Sequence, residues 1–245
     1  KNVKPDKKKS YTIVKRHYLL KCYDVITKAT KLRLNCQLPC GTGKTYIMLY
    51  TINHDMIANP DQKYLIMCPW ISLGKQTYIL FTHFKNMKPC LIGDGKHDIP
   101  KECNVVICIN ASVDHVSALK YRYKFIDEAH HLESDNSKIR DKVNKIKCDK
   151  EINFSATFHD QDNLDYNYPM NKAIENGHIS DYCFHVEYFT SGDKTKAFIR
   201  LIKENMDWTP LFIYFNSTKR CKAFSKFLNK ENVKANYLTG YCKMA

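Results

Sequence analysis

The stretch Leu32-Arg33-Leu34-Asn35-Cys36-Gln37-Leu38-Pro39-Cys40-Gly41-Thr42-Gly43-Lys44-Thr45 carries the reading of this chain. An apolar run, predicted as a strand over Leu32–Gln37, meets a turn with two glycines, and a helix is predicted over Lys44–Ala58. Strand, glycine turn and helix form a natural cradle for phosphate. Glycine removes the Cβ that would keep main-chain N–H groups from an anion, and the helix start adds partial positive charge. Pro39, Gly41, Thr42 and Gly43 then shape the loop. Lys44 can reach the β- and γ-phosphates of ATP, and the Thr45 hydroxyl can ligate Mg²⁺. The general form of such loops has Gly six residues before the Lys, where this chain has Leu38.

Outward from the loop, short unbroken apolar runs alternate with helical stretches. Further strands are predicted at Tyr64–Cys68, Val105–Ile109, Tyr123–Asp127 and Ile152–Phe154. Helices are predicted at Tyr11–Ala29, Ser72–Asn86, Ser112–Lys120 and Lys138–Lys147. This alternation predicts an α/β fold, a doubly wound parallel sheet covered on both faces. The Tyr/Asn/Pro-containing stretch Asp162–Met170 reads as the start of a linker. The alternation then resumes with strand Tyr182–Phe189, helix Lys194–Glu204, strand Leu211–Phe215, helix Thr218–Leu228 and strand Val233–Leu238. The predicted organisation is a basic tail over 1–10, a first domain over 11–162, a linker over 163–180 and a partial second domain over 181–245.

Two motifs stand at predicted strand ends. Asp127-Glu128-Ala129-His130 follows the apolar run Tyr123–Ile126. A carboxylate at the C-terminal end of a parallel strand faces the ligand crevice. Asp127 is the candidate Mg²⁺ ligand and Glu128 the candidate base for an attacking water. His130 can link this loop to the next one. Asn153-Phe154-Ser155-Ala156-Thr157 follows the next run, and its two hydroxyls can hydrogen-bond the acidic loop. The chain between Lys44 and Asp127 is long enough for three strand–helix steps, so both motifs can reach one sheet edge.

Gly-Thr-Gly-Lys-Thr, Asp-Glu-Ala-His and Ser-Ala-Thr, in this order, resemble motifs I, II and III of superfamily 2 helicases. The resemblance runs from about Arg16 to Gly240. Cys68-Pro69-Trp70-Ile71-Ser72-Leu73-Gly74-Lys75-Gln76 is similar to motif Ia, Phe212–Thr218 to motif IV, and Leu238-Thr239-Gly240 to the short signature after it. Ile109-Asn110-Ala111-Ser112 stands where the family has a Thr-containing strand end, and Ala173–Tyr182 resembles the entry into the second domain.

The resemblance implies two RecA-like domains around Mg-ATP. Ser155, Ala156 and Thr157 would couple hydrolysis to movement. DNA or RNA would be held at Pro69, Ser72, Gln76, Asn110, Ser112, Asn216 and Thr239. Leu19, in Arg16-His17-Tyr18-Leu19, stands where many relatives place an adenine-reading Gln. Two further motifs, one carrying arginine fingers, would follow in the family beyond Ala245. RNA helicases named for Asp-Glu-Ala-His resemble one another in an Arg-rich motif Ia. Pro-Trp-Ile-Ser-Leu is closer to DNA helicases and restriction-type translocases, which favours DNA. A catalytically impaired nucleic-acid-binding module and a translocase that does not separate strands remain alternatives.

The bulk numbers agree with a polyanion partner. The net charge of +14 comes from 39 Lys and Arg against 25 Asp and Glu; neutralising phosphates with such an excess releases counterions. No apolar run approaches transmembrane length and no secretory leader is visible, so no membrane partner is expected. The eleven cysteines form no Cys-x-x-Cys pair, and many lie in apolar runs. They read as buried thiols of a reducing intracellular compartment. The Lys-, Asn- and Cys-rich composition suits an AT-rich genome, such as that of a large DNA virus.

Overall fold

The computed structural model describes residues 16–133, 138–182, 192–205 and 211–237. The chain divides into two compact units, 1–181 and 182–245. In the first unit the described order is α1 (His17–Lys28), β1 (Arg33–Gln37), α2 (Lys44–Ala58), β2 (Tyr64–Cys68), α3 (Ile71–Thr82), β3 (Pro89–Ile92) and β4 (Val105–Ile109). There follow β5 (Tyr121–Ile126), α4 (His130–Glu133), α5 (Lys138–Lys145), β6 (Cys148–Ser155), β7 (Tyr166–Asn167) and α6 (Met170–Glu175).

The strands form one seven-stranded sheet in the order β3-β4-β2-β5-β6-β1-β7, and every pairing is parallel. All five residues of β2 and of β4 are buried. Such continuous burial requires cover on both faces, the signature of a parallel α/β sheet. One apolar layer gathers Leu34, Cys36, Ile66, Ile107, Phe125 and Phe154 beneath α1 and α2. The other gathers Leu65, Met67, Val106, Cys108, Ile126 and Val143. Helix α3 reaches the sheet through Gly74: a Cβ there would lie 2.5 Å from the Ile109 side chain and 3.2 Å from that of Leu91.

The strand order brings distant loops together. The C-terminal ends of β4, β2, β5, β6 and β1 stand in a row, in that order. That row carries Asn110, Pro69-Trp70, Asp127-Glu128, Ser155–Thr157 and the glycine turn.

Several expectations need correction. Helix α1 begins at His17, and 11–15 lie outside the described residues. The helix expected at Ser112–Lys120 is a short 3₁₀ segment over Asn110–His115, with non-helical backbone at Ser112. Residues 163–180 are not a bare linker. Tyr166-Asn167 pairs with Cys36-Gln37 as a seventh strand, Tyr168 and Ala173 are buried, and α6 follows. The aromatic side chains supply apolar surface that folds this segment onto the first unit.

The cysteines are not all free: Cys90 and Cys103 form a disulfide. The β3–β4 pairing sets Cys90 opposite Val106, so residues 13 apart in sequence meet with their Cα atoms 6.0 Å apart. Burial pushes the Cys68 thiol well up and the Cys108 thiol up to about 12, as for inert core residues. No helix of the described residues is long and apolar enough to cross a membrane.

The second unit shows α7 (Lys194–Glu204) and α8 (Thr218–Lys230), capped by the Asp193 and Ser217 side chains respectively. Ile199, Ile202 and Leu228 form its buried core. The strands expected at 211–215 and 233–237 pair with no described residue. Phe212 is 70% and Tyr214 91% exposed, so a β-rich sequence alone makes no strand without a ladder to join. Residues 183–189 of the remaining expected strand lie outside the described residues.

Candidate functional site

Strand β1 delivers the glycine turn to the sheet edge, and α2 begins at once behind it. Leu38 N–H donates to the Ser155 carbonyl at 2.9 Å, which fixes the loop's entry to β6. Thr42 is buried; its hydroxyl donates to the Pro39 carbonyl at 2.6 Å and closes the turn on itself. Gly41 and Gly43 lie at φ 79° and 100°. L side chains rarely adopt such backbone, so glycine is required there. Gly43 is the N-cap of α2 and offers no side-chain cap, which leaves the first N–H groups of the helix available to an anion.

Across the cleft, β5 delivers the acidic pair. Asp127 N–H donates to the Met67 carbonyl at 3.0 Å, and Ala129 N–H to the Phe154 carbonyl at 2.8 Å. Between these tethers Glu128 sits at φ 51°, an uncommon conformation for a residue with a Cβ. Asp127 is 3% exposed. Burial raises its pKa to about 6; Lys44 opposes that rise, Glu128 adds to it, and the Glu128 N–H bonded to its carboxylate opposes it.

Lys44 joins the two loops. It is buried, with Nζ 3.0 Å from Glu128 Oε1 and 3.5 Å from the Leu38 carbonyl. A cleft of ≈ 620 Å³ opens over these groups, lined by Gly41, Gly43, Lys44, Thr45, Asp127 and Glu128. Its other wall is α3, which presents Leu73, Gln76, Thr77, Leu80 and His83 at helical spacing. Gln76, expected among the nucleic-acid contacts, therefore faces this cleft.

The third loop closes the network. Ser155 Oγ donates to the Thr157 carbonyl at 2.6 Å and accepts from Thr157 N–H at 3.1 Å. With its one proton committed, Ser155 acts as an acceptor toward His130 Nδ1, 2.9 Å away. The same His130 Nδ1 lies 3.5 Å from Glu128 Oε2. Ala156 is half-buried between these hydroxyls.

Of the remaining strand-end residues, Pro69 is half-buried, Ser72 exposed, Ser112 half-buried and Asn110 buried. Asn216 is exposed in the second unit, and Thr239 lies outside the described residues.

Sequence reasoning missed the support behind the turn. Tyr18 donates its hydroxyl to the Thr42 carbonyl at 2.5 Å, and its ring stacks on Tyr168 with centroids 4.1 Å apart. Tyr166 donates to the Tyr18 carbonyl at 2.6 Å, and the Tyr168 hydroxyl shares a 2.7 Å hydrogen bond with His178 Nδ1. The Tyr166-x-Tyr168 alternation was the available signal for a strand in that segment. Leu19 is buried, its Cδ1 3.5 Å from where a Cβ on Gly43 would stand, and serves packing.

Fold and motif order together place the chain in the class of superfamily 2 helicase-like α/β proteins. The model of the type III restriction enzyme res subunit matches residues 10–160, more than half of the chain. The chain belongs to that family, in keeping with the restriction-type likeness of its motif Ia.

No curated protein matches it. The Sulfolobus solfataricus SWI2/SNF2 ATPase core in complex with dsDNA is 19% identical, with a TM-score of 0.54. That match covers 61% of this chain and 34% of the other. A nuclease-deletion mutant of the Type ISP restriction-modification enzyme LlaGI, in complex with a DNA substrate mimic, is 15% identical with a TM-score of 0.53. It covers 87% of this chain and 24% of its own length. At these identities the likeness is one of fold. This chain spans about a third or less of each of the two.

Proposed function

We propose that this chain is the ATP-binding part of a motor that hydrolyses Mg-ATP and couples the cycle to movement along DNA. The observation that carries the reading is the 3.0 Å contact between Lys44 and Glu128, with buried Asp127 next to Glu128 on the same acidic loop. The residues fit a metal-bound triphosphate. Mg²⁺ is commonly held by one or two carboxylates together with substrate phosphates. Asp127 and the Thr45 hydroxyl, lining one cleft, supply such a set. When bound, the metal would neutralise phosphate charge and orient the leaving group.

The chain's own residues do the rest. The N–H groups at the start of α2 and around Gly41 hold the β- and γ-phosphates. Lys44 exchanges its pairing with Glu128 for the γ-phosphate, which leaves the Glu128 carboxylate free to accept a proton from water. His130, bonded to Ser155, then senses the state of Glu128 and passes it to the third loop. The net charge of +14 supports a polyanion partner, and the dsDNA and the DNA substrate mimic bound in the two solved complexes whose fold this chain shares favour DNA.

Two measurements test the reading. Cys40 is the exposed free cysteine among the described residues and lines the cleft. Mg-ATP is expected to shield it from N-ethylmaleimide in a site-resolved mass-spectrometric assay; labelling at an unchanged rate would remove the nucleotide from this cleft. Glu128→Gln is expected to lower DNA-stimulated hydrolysis by roughly 10²–10⁴-fold, the usual contribution of a general base, while the shielding of Cys40 persists. Turnover at the parent rate would remove Glu128 from that role.

A further inference from the structure

Trp70 stands on the row of strand ends beside the acidic loop. Cys68, the last residue of β2, pairs with Ile109 of β4, and Met67 pairs with Ile126 of β5. Pro69-Trp70 therefore emerges between Asn110 on one side and Asp127-Glu128 on the other. Trp70 is 52% exposed, although an indole carries one of the largest apolar surfaces a protein can bury.

The indole is also connected. Its ring meets His131 edge-on, with centroids 4.6 Å apart and planes at 74°. The His131 ring lies 4.1 Å from that of His130. His130 Nδ1 lies 2.9 Å from Ser155 Oγ and 3.5 Å from Glu128 Oε2. Four side chains thus run from the candidate base to an exposed aromatic face. On the neighbouring strand end, Asn110 is buried and its side-chain oxygen has no hydrogen-bond partner among the described residues. Natively buried polar atoms are nearly always satisfied, so a polar partner is due there.

We propose that Trp70 is a stacking platform for a base of single-stranded nucleic acid, and that the Trp70–His131–His130 chain relays its occupancy to Glu128. The inference rests on the nucleic-acid reading given above and adds a base contact to it. An aromatic face accepts any base, so the contact is sequence-tolerant, as a moving enzyme needs. The relay is steric. A base on the indole holds His131 in one position, and His131 limits the tilt of His130. His130 has a single Nδ1 to divide between Ser155 and Glu128. Moving its hydrogen bond toward Glu128 competes with the Lys44 pairing and alters how freely the carboxylate meets water.

The test uses the whole chain with Trp208→Phe, which leaves Trp70 as the single tryptophan of the two in the sequence. Oligo-dT is compared with an abasic oligonucleotide of equal length and charge. Oligo-dT is expected to quench Trp70 emission and the abasic strand to bind without quenching. Equal emission changes for both strands would overturn the platform. Trp70→Ala should weaken oligo-dT binding roughly ten- to hundredfold by anisotropy and leave abasic binding unchanged; Trp70→Tyr should restore most of it. If Trp70→Ala fails to fold, the emission comparison on the intact indole still decides.

For the relay, Mg-ATP affinity is measured with and without oligo-dT. The ratio should depart from one in the parent and collapse to one in His131→Ala with oligo-dT affinity retained. A ratio unchanged by His131→Ala overturns the relay. A parent that binds neither strand nor duplex DNA overturns the nucleic-acid reading itself, whereas binding to duplex alone, or to both strands with silent emission, sinks the platform alone.

Discussion

The two loops that meet across Lys44 and Glu128 both need left-handed backbone, and they obtain it from different residues. The phosphate turn uses glycine, at Gly41 and Gly43. The acidic loop places the same demand on a glutamate, with Glu128 at φ 51°. Glycine meets it at little steric cost, whereas a residue with a Cβ pays about 1–2 kcal/mol. The difference follows from what each loop presents. A phosphate cradle works through main-chain N–H groups and needs no side chain. A proton acceptor must keep its carboxylate, so the strain is held in place by the Asp127 and Ala129 N–H tethers on either side.

The sharpest way to break this comparison is to give the first loop the residue type of the second. Gly43→Ala introduces a Cβ at φ 100°, with Leu19 Cδ1 3.5 Å away. Loss of about 1–3 kcal/mol in stability is expected, read by chemical denaturation. The displaced turn should also weaken Mg-ATP shielding of Cys40 roughly ten- to hundredfold. Normal shielding in a folded Gly43→Ala protein would show that the turn's backbone is not the cradle.

Burial separates the loops next. Asp127 has its pKa raised to about 6, chiefly by desolvation. A raised folded-state value means that the stability linked to protonation is full below the unfolded value near 3.8 and is lost as pH rises through about 6. Asp127→Asn is therefore expected to stabilise the metal-free protein above pH 6 by on the order of 2–3 kcal/mol and to have little effect near pH 4. Mg²⁺ needs the carboxylate, so in the parent the metal dependence of nucleotide binding should fade below pH 6. A stability difference independent of pH would contradict the burial argument.

Strain in the acidic loop can be isolated from charge. Glu128→Ala and Glu128→Gly both remove the carboxylate and free Lys44. They differ only in backbone freedom. Glu128→Gly should be the more stable of the two by about 1–2 kcal/mol, opposite to the usual cost of glycine. Equal melting would mean that the turn relaxes without its side chain.

How much of this was legible beforehand follows from range. The glycine turn, the acidic pair and Ser155–Thr157 were readable because each is a local motif at the end of an apolar run, and parallel strands align their ends. Strand β3 escaped because Pro89 opens a run of only four residues, which reads as a loop. The two-residue β7 escaped because its segment is rich in polar and turn-forming residues, although Tyr166 and Tyr168 alternate as a strand would. The Cys90–Cys103 pair and the Trp70–His131 contact depend on strand order, which no local pattern encodes. The positive φ of Glu128 was unreadable, since nothing in Asp-Glu-Ala-His signals which residue bends.

The smallest predicted effect concerns the tyrosine support beneath the glycine turn. Tyr18 donates to the Thr42 carbonyl at 2.5 Å while its ring stacks on Tyr168. Tyr18→Phe keeps the stack and removes the donor, so a carbonyl behind the turn loses its partner. The cost expected for one such hydrogen bond is about 1 kcal/mol. If the hydroxyl only stabilises the first unit, melting falls and Mg-ATP affinity is unchanged. If it also sets the pitch of the turn, affinity falls severalfold with unfolding held constant by working well below the transition. The second outcome is expected, because Thr42 lies between the two glycines and its carbonyl orientation fixes the N–H groups on either side. Unchanged affinity in Tyr18→Phe would mean that the Thr42–Pro39 closure is sufficient to shape the cradle.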